Sequence, residues 1–113
     1  MGAKKKAPKK KRSSNNPDLG RVVLVRDNRA GIHVGTLVSF EAASKTAVLK
    51  DARKVWYWSG AASCHGIAAR GLDHGKSKVC PKVERVTSCD VIEIIPCSKE
   101  GAASVADAPE WKP

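Results

Sequence analysis

Apolar and polar residues alternate along much of the chain in the pattern of short β-strands. Residues 21–26 form an apolar run dominated by β-branched side chains, and turn residues at 27–31 end it. From Ile32 to Phe40 apolar side chains return at every second position, which is the period of a strand with one buried face. Because the connections are short, we expect these strands to pair as antiparallel neighbours.

Further strands are predicted later in the chain. Residues 46–50 form a third strand and residues 54–58 begin a fourth, with a break at Asp51–Ala52–Arg53 between them. Residues 79–87 have a weaker strand pattern, and residues 90–95 have a strong one. The sequence therefore predicts a meander of four strands followed by one or two closing strands.

One short helix is predicted at about residues 60–70. Ser59 suits a helix N-cap, and Gly71 suits the left-handed residue that ends a helix. The fold class is therefore mainly β with a minor helical part: a small, partly open antiparallel barrel or bent sheet with one short helix. We expect this domain to span residues 18–97 and residues 98–113 to form a flexible C-terminal tail.

Positive charge is concentrated at the start of the chain. The net charge of the 113 residues is +10, yet residues 1–17 contain seven basic and no acidic residues. We expect this segment to be a disordered basic tail, because it cannot bury enough apolar surface to fold. Its basic side chains predict sequence-independent contact with DNA or RNA, since they release counterions from phosphates. They are Lys4, Lys5, Lys6, Lys9, Lys10, Lys11 and Arg12. A solubilising tail without a dedicated partner is the alternative.

Several protein classes are excluded by what the sequence lacks. No apolar run approaches the roughly 18 residues of a membrane span, so no membrane partner is expected. The basic start also lacks the apolar region of a secretory signal. The four cysteines form no C-x-x-C pair, the usual opening of a zinc site. We expect free thiols in a reducing compartment, with no metal and no cofactor. A disulfide between Cys64 and Cys80 is the alternative that the spacing allows.

The sequence also contains no recognisable catalytic motif. A glycine-rich phosphate loop, a paired-carboxylate signature and a nucleophile elbow are all missing. The group Cys64, His65, His74 and Cys80 follows no metal-ligand spacing and has no orienting acid at a recognisable position. The prediction is therefore a protein that is not an enzyme.

Three of the five aromatic residues are consecutive, at Trp56, Tyr57 and Trp58. Strand alternation places the two tryptophans on one face and Tyr57 on the other. We expect the tryptophans to build the core and Tyr57 to be exposed. The alternative is a stacking platform for bases, with Arg53 and Lys54 beside it to contact phosphates.

The segment at residues 53–63, following the strand at 31–39, resembles a family of small tailed-bacteriophage proteins of uncharacterised function. The string Trp-Tyr-Trp-Ser-Gly-Ala-Ala-Ser at 56–63 is the specific part, and the similarity covers about residues 21–97. This resemblance implies a phage origin, and hence the host cytoplasm or the virion as location. It supplies no activity and no functional residues.

A second resemblance concerns the geometry of the sheet. The spacing of Gly31, Gly35 and Phe40, followed by a strand that ends at Asp51, is similar to that of the Sm-like RNA-binding barrels. It implies an SH3-like barrel. Those barrels typically carry Asp after the Phe and Asn in the next turn, where this chain has Glu41 and Lys45. The RNA site of those barrels is therefore not implied.

Taken together, these features predict a small non-enzymatic binding protein of phage type. Its basic tail contacts nucleic acid without sequence preference, and Arg53, Lys54 and Tyr57 add a second contact. The alternative is a protein–protein interaction module, either a virion component or a phage factor that binds a host protein. In that case the exposed aromatic strand or the edge at residues 91–95 would be the docking surface.

Overall fold

The computed structural model describes residues 16–113. These residues form six β-strands, two α-helices and one turn of 3-10 helix at His74–Lys76. In chain order the elements are β1 (Val22–Asp27), β2 (Gly31–Glu41), β3 (Thr46–Tyr57), α1 (Cys64–Arg70), β4 (Lys78–Val79), β5 (Val83–Ser88), β6 (Val91–Pro96) and α2 (Lys99–Asp107). The predicted basic tail lies outside the described residues, apart from Asn16 and Pro17.

All six strands belong to one antiparallel sheet. The order is β4-β3-β2-β1-β6, and β5 pairs with the first half of β3 beside β4. Strands β5 and β6 therefore lie at opposite edges, although only Cys89 and Asp90 connect them. Two residues can join opposite edges only if the sheet bends strongly. The predicted class, a mainly β protein with an unclosed antiparallel sheet, is confirmed, and the finer SH3-like geometry stays a prediction.

The interior strand β1 is buried on both faces. Val23 and Val25 contribute to one apolar cluster, which the bent sheet encloses together with Leu37 and Leu49. Leu24 points the other way, into a second cluster between the sheet and the two helices, the helix-side cluster. Each of these β1 side chains is fully buried. Burial on both faces explains why this strand is a continuous apolar run rather than an alternating one.

Strand β3 is longer than predicted. The expected break at Asp51 is wrong, because one strand continues from Thr46 to Tyr57. Asp51 adopts a left-handed conformation with φ 51°, and the pairing with β2 shifts register at this point. An extra residue of this kind makes a bulge that bends a strand without ending it. The bulge lies opposite Gly35, where a side chain would collide with the backbone of β3.

Helix α1 begins later than predicted. Its N-cap is Ser63, whose hydroxyl accepts a hydrogen bond from the His65 amide, and not Ser59. It ends at Gly71, whose φ of 94° is positive as expected for a glycine that ends a helix, although its ψ of −163° lies outside the left-handed helical region. The buried face of the helix, Ile67 and Ala68, packs in the cluster that contains Leu24.

The segment 98–113, predicted as a flexible tail, instead contains helix α2. The Ser98 hydroxyl caps this helix by accepting a hydrogen bond from the Gly101 amide at 2.9 Å. Val105 and Ala108 are buried in the cluster between the sheet and the helices. Gly101 lies directly against the carbonyl of Ala68, so the absence of a side chain lets α2 approach α1 closely. The helix completes the core, which explains why it is ordered.

The buried carboxylate of Asp27, at the end of β1, connects this strand to the segment where β5 passes into β6. Asp27 accepts hydrogen bonds from the amides of Arg29 and Ala30 in its own turn, at 2.8 and 2.9 Å. It also accepts from the hydroxyl of Ser88, the last residue of β5, and from the amide of Asp90 in the link between β5 and β6. Burial alone would raise the pKa of Asp27, but these four hydrogen bonds favour the charged form and lower it well below its usual range.

Candidate nucleic-acid interface

Two aromatic side chains project into solvent where β3 ends. Trp56 and Tyr57 are 55% and 54% exposed, although Val55 immediately before them is buried. The pairing between β3 and β4 shifts register between Val55 and Tyr57, so simple strand alternation does not hold here. Trp58 is half-buried against the helix-side cluster. The prediction of a buried tryptophan pair is therefore wrong for Trp56, whereas Tyr57 is exposed as expected.

A third aromatic ring reaches this surface from the end of the chain. The Trp111 amide donates a hydrogen bond of 2.9 Å to the Val79 carbonyl, and Glu110 forms a bridge with the same residue of β4. This pairing places the Trp111 indole on the Trp56 indole, with 5.3 Å between ring centroids and 9° between ring planes. The two rings form an offset stack, the geometry that aromatic pairs prefer.

Lys78 supplies a positive charge to the same place. Its Nζ lies 4.7 Å from the ring centroid of Trp56, 4.9 Å from that of Trp111 and 5.9 Å from that of Tyr57. Each distance is within the range of a cation–π contact. We call Trp56, Tyr57, Lys78 and Trp111 the aromatic–lysine strip. It combines flat apolar rings with an ammonium group, and these groups can stack on bases and pair with a phosphate.

A protein-family model described as a domain of unknown function (DUF6948) matches residues 20–105. The chain belongs to this family. Searches of curated proteins and of solved structures returned no match. The DUF6948 domain includes three members of the strip, Trp56, Tyr57 and Lys78, whereas Trp111 follows the matched residues. The family description assigns no activity, so the function has to be argued from the geometry.

Arg53, one of the residues predicted to contact phosphate, is a buried structural residue of the DUF6948 domain. Arg53 is only 7% exposed. Its guanidinium donates hydrogen bonds to the carbonyls of Cys80, Val105 and Ala108 at 2.8, 2.9 and 2.6 Å. Two of these carbonyls lie at the C-terminal end of α2, where a positive charge is favourable. The phosphate-binding prediction for Arg53 is therefore wrong, because its side chain holds α2 against β3 and β4.

Lys54, the second basic residue predicted to contact phosphate, is half-buried on β3. It pairs across the sheet with His33, whose Nδ1 has no hydrogen-bond partner within the described residues. Burial lowers the pKa of His33, and the nearby charge of Lys54 lowers it further. A neutral imidazole is compatible with this buried position. The role of Lys54 in phosphate contact stays a prediction.

The seven basic residues predicted to contact nucleic acid from the tail lie outside the described residues. They are Lys4, Lys5, Lys6, Lys9, Lys10, Lys11 and Arg12. Their role stays a prediction.

A cleft of about 770 Å³ lies between α1, β1 and β6. In it Glu93 accepts hydrogen bonds from the Arg26 guanidinium at 2.7 Å and pairs with Nε2 of His65 at 2.8 Å. The hydrogen bonds from His65 and from Arg26 lower the pKa of Glu93. Burial raises the pKa of the adjacent Cys64 thiol, which favours the unreactive protonated form. The cluster therefore ties α1 to the sheet edge without providing an activated nucleophile.

Two further structural observations bear on other site classes. Across residues 16–113, no three His, Cys, Asp or Glu side chains converge on a point that would hold a metal ion. Over the same residues, no helix is long and apolar enough to cross a membrane.

Sequence reasoning missed two members of the strip, Lys78 and Trp111. Lys78 immediately precedes a predicted strand. Its position beside Tyr57 follows from the pairing of β4 with β3, which the sequence pattern does not reveal. Trp111 was the one aromatic residue of the predicted tail, and a lone tryptophan in a polar segment was the available signal.

Proposed function

We propose that the protein is a non-enzymatic nucleic-acid-binding protein that contacts DNA or RNA without sequence preference. The observation that carries this proposal is the position of the Lys78 ammonium against three aromatic rings, two of which are more than half exposed. Exposed apolar surface without basic neighbours would instead favour a protein partner.

The two halves of the strip suit the two parts of a nucleotide. Each base has a flat face that stacks on an indole or phenol ring whatever its identity, and such stacking is worth about 1–3 kcal/mol per base. An ammonium group pairs with any phosphate and reads no sequence. Both contacts support binding that depends on the polymer and not on the order of its bases.

The basic tail is the second part of the proposal. Its seven positive charges would release counterions from phosphates, and full engagement of duplex DNA would give a slope of log affinity against log salt of roughly −6. The strip alone would contribute about one phosphate contact. The salt slope therefore separates the two contributions.

We test the proposal by fluorescence anisotropy with labelled DNA and RNA at low and moderate salt. In the full chain, replacing the seven tail residues by Gln is expected to remove most of the salt dependence. Tyr57→Ala is expected to weaken binding by about fivefold or more, the low end of a stacking contribution. Lys50→Gln, which removes an exposed charge from the distant half of β3, serves as the matched control. Failure of the full chain to bind at low salt would overturn the proposal.

A protein–protein interaction module is the second candidate, and the outer edge of β6 favours it. Strand β6 pairs only with β1 among the described strands, and Ile92 on it is 50% exposed. An unpaired strand edge with an apolar side chain can accept a strand from a partner. Binding of a host or virion protein by the full chain, lost in the Ile92→Lys variant, together with no affinity for nucleic acid, would support this candidate.

The proposed setting is a tailed-phage infection. The resemblance of residues 56–63 to a phage family supports this origin, and with it the host cytoplasm or the virion as location. The four cysteines are unpaired, which suits a reducing compartment.

A further inference from the structure

The Trp56 ring is covered by another residue of the same chain. Trp111 stacks on it in the near-parallel orientation that a nucleobase would adopt on an indole. The ring that most resembles a platform for bases is therefore already occupied by an aromatic group of similar size. This occupancy calls for an explanation, because Trp56 remains 55% exposed near the end of β3.

Trp111 is attached to the domain by a small number of contacts. It lies beyond the end of α2 at Asp107, and backbone contacts to Val79 hold its segment against β4. The hydrogen bond from the Trp111 amide to the Val79 carbonyl is 2.9 Å long. The last buried residue of the helix-side cluster before it is Ala108, so Trp111 is not part of the core. A short segment held in this way can separate from the sheet edge without unfolding the domain.

We propose that the Trp56–Trp111 stack is a binding site for single-stranded nucleic acid, in which an unpaired base takes the place of Trp111 on the Trp56 ring. This inference rests on the proposed function and names its substrate class. Trp111 acts as an internal competitor, and the intrinsic affinity of the site is reduced by the fraction of molecules in which the ring is covered.

Selectivity for single strands follows from the geometry of stacking. In a duplex both faces of a base are already covered by its neighbours, so only an unpaired base has a free face for Trp56. Lys78 strengthens the site, because its Nζ lies within 5 Å of both ring centroids of the stack. A base in the position of Trp111 would keep this ammonium beside it, close to the phosphate of its own nucleotide. Single-stranded DNA and RNA share this chemistry, and both are used as probes.

The test compares full-length variants with three labelled probes at one salt concentration. The probes are an oligothymidylate and an oligouridylate of about ten nucleotides and a DNA duplex of the same length, because single-strand site sizes are about 4–16 nucleotides. Trp111→Ala uncovers the platform, and Trp111→Phe keeps a ring on it. Trp56→Ala removes the platform. Val83→Ala removes an exposed apolar side chain of β5, away from the strip, and is the matched control.

We expect Trp111→Ala to tighten single-strand binding by about three- to tenfold, because the competitor is gone. Trp56→Ala is expected to weaken it by about tenfold, and Trp111→Phe to lie between Trp111→Ala and the unmodified chain. Duplex affinity should stay within about twofold throughout. The inference is overturned if Trp111→Ala weakens single-strand binding, or if all variants bind single strands equally.

The same data separate the inference from the proposed function. If the full chain binds duplex and single strands alike and no variant changes this, the inference fails and the proposed function stands. If the full chain binds no probe at low salt, both fail. The midpoint of urea unfolding, measured for each variant, shows that the comparison is made between folded proteins.

Discussion

The buried guanidinium of Arg53 allows a quantitative test of how α2 is held. It donates three short hydrogen bonds to carbonyls, one in the link after β4 and two at the C-terminal end of α2. A hydrogen bond to a charged group contributes about 1.5–3 kcal/mol, and a buried acceptor left without a partner costs about 1–3 kcal/mol. Removal of the charge offsets part of this loss, because the guanidinium no longer has to be desolvated.

We therefore expect Arg53→Met to lower the free energy of unfolding by about 3–4 kcal/mol. Since a loss of this size can unfold a small domain, Arg53→Lys is the graded variant. An ammonium keeps the charge but cannot reach three carbonyls in the planar arrangement of a guanidinium, so we expect a loss of about 2 kcal/mol. For a domain of this size that corresponds to a decrease in Tm of about 10 °C.

The assay is equilibrium unfolding in urea followed by circular dichroism, analysed by linear extrapolation. Lys50→Met, an exposed position on the same strand, is the control and is expected to change stability by less than about 0.5 kcal/mol. The reasoning is refuted if Arg53→Lys and Arg53→Met are as stable as this control. A loss of nucleic-acid affinity in variants of unchanged stability would return Arg53 to the interface.

Two more predictions concern the turn at Asp27 and the contact between the helices. The pKa of Asp27 in the folded protein lies below its usual value of 3.8. Its contribution to the free energy of unfolding is therefore complete above pH 3.8 and is lost as the pH falls toward the folded-state pKa. Asp27→Asn should thus cost about 2 kcal/mol near neutral pH and progressively less in acid; a pH-independent difference in urea unfolding would contradict this. Gly101→Ala should cost more than about 2 kcal/mol, since its Cβ would overlap the Ala68 carbonyl. Gly66→Ala, whose nearest contact is 3.4 Å, should stabilise the protein by about 0.5–1 kcal/mol; equal unfolding midpoints for the two variants would refute this.

The strands could be predicted where side-chain chemistry alone decides the structure. β-branched residues at Val22, Val23 and Val25 favour an extended backbone, and the alternation from Ile32 to Phe40 marks one buried face. The class of fold follows from such runs and the short connections between them. These signals are local, so a strand can be predicted from them without knowing which other strands it pairs with.

The features that sequence reasoning missed depend on partners distant in the chain. Asp51 resembles a strand-breaking residue, and only Gly35 on the neighbouring strand makes room for the bulge that it forms. Helix α2 has few large apolar residues, and its close contact with α1 depends on Gly101. The aromatic–lysine strip combines residues of two strands with Trp111, a combination that follows only from the pairing of the C-terminal segment with β4.

The pairing of β1 with β6 has a consequence for the order in which the protein is made. Arg26 and Glu93, which meet across this pair, are 67 residues apart. The two faces of β1 are buried partly by residues made late, Val91 on one face and Val105 on the other. At a synthesis rate of about 5–20 residues per second, β1 is complete roughly 3–16 seconds before residues 91–108 exist. During that interval an apolar strand lacks its final partners. The domain therefore cannot complete its core until residues 91–108 have been synthesised, and until then β1 is an apolar strand at risk of aggregation.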